Sequence, residues 1–275
     1  MKHFDTLAAA FKGSLQSWRL WLIQFFVNAL LFATFAAWLL IPVSNGLRVL
    51  LNVVLILVIL VVFLVLHGGT LNYFHAPNPT EHRKLLEIFG RAARNVFAIL
   101  VCLVGFFLLW RLLGRLDQYQ SSLPPYFRSI SPAYVRRHFT LSSYQESFDV
   151  IFFVLRWIIF PGLILPFLAS TSSLGFRGFG PQGFAAWKRT IASCSYWIIV
   201  AVAAVVGVIA TQKLMGWTPD FRHSTLRGET VSVIWRTLVS YVLALYAWML
   251  TCSVLGWRAG RLGSVPNHGG GQPVA

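Results

Sequence analysis

Residues 148–169, FDVIFFVLRWIIFPGLILPFLA, decide how this chain is read. A run of this length crosses a bilayer, because about 20 apolar residues at 1.5 Å rise cover the roughly 30 Å hydrocarbon core. Arg156 interrupts it about two residues, or roughly 4 Å, from the middle of a straight span. A guanidinium at that depth does not easily snorkel to the headgroups and has to find its surroundings inside the bundle. Pro161 then removes a backbone donor and frees the carbonyl of Trp157, and Gly162 and Pro166 extend the perturbation. The stretch is expected to be a kinked transmembrane helix holding a buried cation.

Composition agrees with a chain dissolved in lipid. Of 275 residues, 57% are hydrophobic and 11% charged, whereas soluble domains carry about 25% charged residues. The net charge of +15 would suggest nucleic acid in a soluble protein. Here the basic residues sit mostly in short connectors, which reads as topology and contact with anionic lipid headgroups. No basic domain stands outside the spans, so no nucleic-acid partner is expected. Cys102, Cys194 and Cys252 fall in three separate apolar stretches and are expected to be free thiols.

Working outward, spans are expected at about 18–41, 47–66, 95–113, 148–169, 191–213 and 231–255. The fold class is therefore all-α: a polytopic transmembrane helix bundle of about six spans, with interfacial amphipathic helices. Residues 1–17 read as a surface helix, 18–259 as the membrane domain, and 260–275 as a disordered tail rich in Gly and Pro. The first span is too long for a signal-peptide core and lacks a small-x-small cleavage site, so it is read as a retained helix. Gln24 and Asn28 share one face of it. Such amides hydrogen-bond a neighbouring helix or contribute to a ligand site.

The second span is a nearly pure Val/Ile/Leu run, broken only by Arg48 and Asn52, and Gly68-Gly69 is expected to end it. His67, His75 and His82 follow one another at gaps of eight and seven. Those are not the gaps of a zinc or di-iron site, and no carboxylate-rich segment accompanies them, so no metal or cofactor is assigned. Asn78-Pro79-Thr80-Glu81 reads as a helix start. The helix it opens carries Leu85, Ile88, Phe89 and Ala92 on one side. Arg83, Lys84, Arg91 and Arg94 lie on the other with Glu87, placed to contact lipid headgroups.

Residues 114–147 form the one long connector, in which Ser131-Pro132 is expected to begin a short helix. Ser143 with Glu146 is read as a capping box opening the arginine-bearing helix. Along that helix Gln145, Asp149 and Arg156 recur at spacings of four and seven, one polar stripe facing the interior or water. The glycine-rich stretch 170–184 lacks the Lys-Ser/Thr of a nucleotide loop and reads as an interfacial loop anchored by Phe176, Phe179 and Phe184. Ala203, Gly207 and Thr211 make a small-residue seam in the fifth span. Phe89-Gly90-Arg91 and Trp187-Lys188-Arg189 each enter a span after a Gly/Pro-containing stretch. A parallel pseudo-repeat would look like this, and the sequence leaves that open. A small excess of Lys and Arg at the N-terminus, second and fourth connectors and tail places both termini on the cytoplasmic side of a bacterial inner membrane.

From Gly68 to Asn95, GGTLNYFHAPNPTEHRKLLEIFGRAARN, a span ends in Gly, an aromatic pair follows, and a basic amphipathic helix leads into the next span. This layout resembles that of uncharacterised six-span bacterial membrane families and of the membrane domain attached to some glycerophosphodiester phosphodiesterases. No catalytic phosphodiesterase domain lies within these residues, so the resemblance brings neither an activity nor a site residue.

Function is bounded mostly by what the spans lack. They hold no carboxylate beyond Asp149 at a boundary, no Gly-x-Ser-x-Gly, no His-Glu-x-x-His and no Ser/His pair on readable faces, so the chain is not read as an enzyme. A proton- or sodium-coupled pump of the common kind needs an embedded carboxylate. The first reading is a non-catalytic structural or assembly subunit with a protein partner, its Arg156 pairing internally with Gln24, Asn28 or freed carbonyls. The alternative is a transporter or binding module for an anionic or lipid ligand that uses Arg156, with Gln145 and Asp149 as a guiding stripe and Asp149 holding the arginine through water. A membrane-embedded enzyme is the second alternative.

Overall fold

The computed structural model describes residues 2–41, 45–75, 84–217 and 226–260. These residues form helices and no strand, and six of the helices are long and apolar enough to cross a membrane. The all-α polytopic bundle expected from the sequence is therefore the fold. The helices are α1 (Lys2–Gln16), α2 (Trp18–Leu39), α3 (Gly46–His75), α4 (Leu85–Arg94), α5 (Val96–Leu116), α6 (Leu123–Ile130), α7 (Ala133–His138), α8 (Leu141–Val154), α9 (Phe160–Leu174), α10 (Pro181–Ile191), α11 (Cys194–Ala204), α12 (Thr211–Gly216) and α13 (Leu226–Gly260). A π turn, Leu155–Ile159, joins α8 to α9, and a second, Val205–Ala210, joins α11 to α12. The six spans are thus α2, α3, α5, α8 with α9, α11 with α12, and α13.

Several element ends differ from expectation. Gly68-Gly69 does not end the second span; α3 runs through the pair to His75. A Cβ on Gly69 would enter the ring of Phe89 in α4, and one on Gly68 would stand 2.7 Å from Cδ1 of Ile99 in α5. The glycines thus serve close packing of the neighbours, while the backbone keeps its helical bonds, as apolar surroundings require. The arginine-bearing helix is capped by Thr140, whose Oγ1 accepts from the Ser143 N–H at 3.3 Å, and not by Ser143. The 170–184 stretch is helical too. It continues α9 to Leu174, tightens into a 3₁₀ turn over Gly175–Phe179 and starts α10 at Pro181. There Gly175 has φ +62, and a Cβ on Gly178 would lie 2.8 Å from the backbone of Ser170. The chain doubles back too closely for larger residues. Phe176, Phe179 and Phe184 remain exposed at this turn. The last span begins earlier than expected and carries Glu229 in its first turn.

Perturbation around Pro161 takes the form of the π turn: the N–H of Phe160 bonds the carbonyl of Leu155, five residues back. Pro166 leaves the carbonyl of Gly162 without its helical donor. Tyr196, fully buried on α11, donates its hydroxyl to that carbonyl at 2.7 Å. Gly162 lets the Trp197 ring approach to where a Cβ would meet it at 2.5 Å. Sequence has thus placed an irregular helix opposite the two aromatics that repair it. Tyr196→Phe is expected to cost about 1–3 kcal/mol, because the buried carbonyl loses its only replacement donor, and the check is a lower melting temperature in detergent.

Polar contacts tie the remaining spans together. Gln24 of α2 donates to the Thr70 hydroxyl of α3, and Asn28 donates to Gln24 Oε1 at 2.7 Å. Asn72 and Asn95 both donate to the Ser172 carbonyl, at 3.0 and 2.9 Å, and the Ser172 hydroxyl donates to Asn72 Oδ1. α1 docks at the same end of the bundle, with Ser253 of α13 donating to the Ala10 carbonyl at 2.6 Å. α4 buries Ile88 and Ala92 and turns its charges outward. The helix start expected at Asn78, with Arg83 and His82, and the tail after Gly260 lie outside the described residues.

Candidate functional site

Two concave sites lie along the arginine-bearing helix, separated by aromatic rings. The larger is a central cavity of about 440 Å³ walled by α3, α5, α9 with its π turn, α11 with its π turn, and α13. Five of the six spans contribute, and α2 does not. Small residues open the space: Gly68, Ala203, Ala204, Gly207, Ala244 and Ala247 all line it. The seam expected from Ala203 and Gly207 packs against α13, where a Cβ on Gly207 would stand 2.9 Å from Cβ of Ala247. Both π turns reach the cavity, through Trp157 on one side and Gly207 with Val208 on the other. Such turns recur at functional sites because they redirect a few side chains without ending the helix.

The wall is almost entirely apolar. In a bilayer, apolar material to fill the cavity is at hand. Four side chains with polar atoms line the wall: His67, Trp157, Trp248 and Thr251. Thr251 donates to the Ala247 carbonyl at 2.8 Å. Nδ1 of His67 and Nε1 of Trp248 are buried in the wall without a hydrogen-bond partner.

The second site is a groove of about 420 Å³ at the bundle end that carries the long connector. Phe107, Trp110, Arg111, Gly114, Arg115 and Gln118 of the α5 segment line it together with Arg156. Helical spacing brings Arg111 and Arg115 one turn apart on the same face. Arg156 lies over the Trp110 ring, its guanidinium carbon 4.9 Å from the centroid, within cation–π range. Between groove and cavity, Trp110 packs on Phe106 at 5.6 Å and on Trp157 at 5.3 Å, and Phe106 stacks on Phe160 at 5.3 Å. Arg156 therefore shares its groove with the last turn of α5 rather than standing alone at the centre of the bundle.

Of the ligand-binding and headgroup-contact residues expected from sequence, only Arg156 lines either site. Gln24 and Asn28 are engaged in the α2–α3 seam with Thr70. Asp149 accepts from Gln120 Nε2 at 2.6 Å, and both it and Gln145 are exposed. On α4, Glu87 pairs with Lys84 at 3.7 Å and Arg91 at 3.4 Å, and those side chains remain 71% and 44% exposed. Arg94 is exposed as well. Among the described residues no group of three or more His, Cys, Asp or Glu side chains could hold a metal ion, and the three cysteines are free.

Sequence reasoning did not bring Arg111 and Arg115 to the groove of Arg156, because they belong to a different segment of the chain. It placed His67 just beyond a second span expected at about 47–66, whereas α3 carries it inside the helix. A signal was present: an ionisable side chain next to a long apolar run is a functional candidate by default. Fold and sites define an integral membrane protein with a six-span helical bundle, an arginine groove at one end and an apolar cavity at its centre. Comparison with protein-family models, with curated proteins and with solved structures finds no match for this chain.

Proposed function

We propose that this membrane protein is a non-catalytic binding module for an anionic amphiphile, whose negative group is held at Arg111, Arg115 and Arg156. The observation that carries the reading is the gathering of three guanidiniums from two spans in one groove against Trp110. Three cationic side chains lining one groove repel one another, and an anion among them reverses the sign of that interaction. Guanidinium forks suit phosphate and carboxylate, which accept two parallel N–H bonds. The aromatic face of Phe107 and Trp110 gives an attached chain an apolar surface to follow. Gln24 and Asn28 are engaged with Thr70 and with each other.

Phosphate chemistry is shared by lipid headgroups and free anions, so the test separates them. Purified protein in a neutral detergent is melted with phosphatidylglycerol, with phosphatidylcholine and with inorganic phosphate. Phosphatidylglycerol is expected to stabilise the wild type by RT ln(1 + [L]/Kd), about 2.7 kcal/mol at a hundredfold excess over Kd, and phosphatidylcholine much less. The double substitution Arg111→Gln with Arg115→Gln should abolish most of the increment and leave the ligand-free melting temperature equal or higher. An inorganic phosphate response equal to the lipid's would identify the ligand as a free anion. Equal responses to the two lipids would remove the reading altogether.

A further inference from the structure

The five spans around the central cavity give it a closed end and an open one. Toward the end of the bundle where α1 docks, Gly68, Ile99, Leu168, Val200 and Thr251 line it, one from each span, and all five are buried. Toward the connector end the lining residues are Phe63, Phe106, Trp157, Val208 and Ala244, again one from each span. Here Phe63 and Ala244 are exposed and the other three half-buried. The opening is therefore on the connector side. Phe106 is the middle residue of α5, so the opening sits near the middle of the membrane. Exposed side chains close to that level, such as Leu108, Val205 and Val242, are apolar. The material that reaches an opening at this depth is the hydrocarbon of the bilayer.

Wall chemistry narrows the guest further. Nδ1 of His67 and Nε1 of Trp248 are buried in the wall, so neither serves a guest, and the Thr251 hydroxyl is spent on the Ala247 carbonyl. Trp157 stands at the open end, and no Lys, Arg, Asp or Glu lines the cavity. A hydroxyl, an ester or a charged group carried into the closed half would lose its solvation without gaining a partner. Methylenes lose nothing there and gain dispersion contacts. The shape agrees. The lining runs from Ala244 to Thr251 on α13 and from Trp157 to Leu168 on the arginine-bearing helix, lengths of about 10–16 Å at 1.5 Å rise. Spread along that axis, 440 Å³ is a slot about 5–7 Å wide, longer than it is broad, with room for a chain whose carbons sit about 3.5–4.0 Å from the wall.

We propose that the central cavity is a chain-binding site: it takes the distal end of one acyl chain of a membrane lipid, entering from the connector side past Phe106 and Trp157, while ester and headgroup stay outside. This stands independently of the anionic ligand. The full chain is reconstituted in phosphatidylcholine nanodiscs doped with one of two phosphatidylcholine probes. One carries a diazirine near the methyl end of an acyl chain, the other a diazirine beside the ester. After irradiation, adducts are mapped by peptide mass spectrometry. The distal probe is expected to label Ile99, Leu168 and Val200 at the closed end about tenfold more than the proximal one, the ratio set by the low end of the cost of burying a polar group without a hydrogen bond. Ala203→Leu, which fills the slot, and Ala244→Trp, which obstructs its opening, should each remove most of the closed-end adducts. Adducts at the exposed Phe97 and Val104 should persist in both variants. Arg111→Gln with Arg115→Gln should leave the pattern unchanged, because the probes have a neutral headgroup. Closed-end residues left unlabelled by the distal probe overturn the proposal, as does equal labelling by the two probes. Labelling that survives Ala244→Trp overturns the route of entry. Ala244 is exposed, so that variant remains usable if Ala203→Leu fails to fold, and the two probes compared on the wild type decide the matter by themselves.

Discussion

Gly256→Ala is expected to be among the most damaging single methyls that can be added to the described residues. A Cβ at that position would overlap the backbone carbonyl of Phe74, where α13 crosses the last turn of α3. Backbone in the middle of a packed crossing cannot swing away as a side-chain tip can. Overpacking of a core costs about 1–3 kcal/mol when side chains absorb it, so a clash that has to displace a helix belongs at or above the top of that range. The expected result is a fall in folded yield and a melting temperature lowered beyond that of Tyr196→Phe. Gly105→Ala is the matched control, since a Cβ on Gly105 meets nothing within 4 Å. In that open helical position alanine is expected to stabilise by roughly 0.5–1 kcal/mol. If Gly256→Ala melts like the wild type, the α3–α13 crossing is not as close as described here. The cavity wall contributed by His67 and Trp248 would then need redrawing, because both lie on the same two helices.

The spans were legible because lipid imposes a length and a composition on anything that crosses it, and both are read directly from a hydropathy pattern. The Arg156 helix was legible for the same reason: a cation in an apolar run is conspicuous. Helix ends were less so. Gly68-Gly69 has the look of a terminator, and only the positions of Phe89 and Ile99 reveal it as a packing device. Four glycines between 170 and 184 suggested a loop, yet Gly178 and Gly183 are there because backbones touch where the chain doubles back through the 3₁₀ turn into α10. Thr140 won the cap from Ser143 because both fit the pattern and geometry alone chooses between them. The sites were legible in part. A groove made by Arg111, Arg115 and Arg156 joins residues more than forty positions apart, and no periodicity within one helix reports that. Likewise the cavity is a property of what five helices fail to fill, which no single stretch of sequence contains.

Ala203→Leu tests whether that unfilled space is occupied in the membrane. Ala203 is a buried residue of α11 on the cavity wall, so leucine there extends three carbons toward a void instead of into a packed core. At about 0.8 kcal/mol per buried carbon the gain has an upper bound near 2.4 kcal/mol, and imperfect fit subtracts from it. In stringently delipidated protein, where the cavity has lost its filler, the variant is expected to melt above the wild type. Restoring lipid should raise the wild type and move the variant much less, because leucine has taken part of the space that an apolar molecule would fill. The two melting curves should therefore converge as lipid is added. A variant that is destabilised under both conditions would mean that α11 and α13 close the cavity already. Convergence, together with unchanged binding of phosphatidylglycerol, would separate the apolar cavity from the arginine groove as two sites on one bundle, divided by Phe106, Trp110, Trp157 and Phe160.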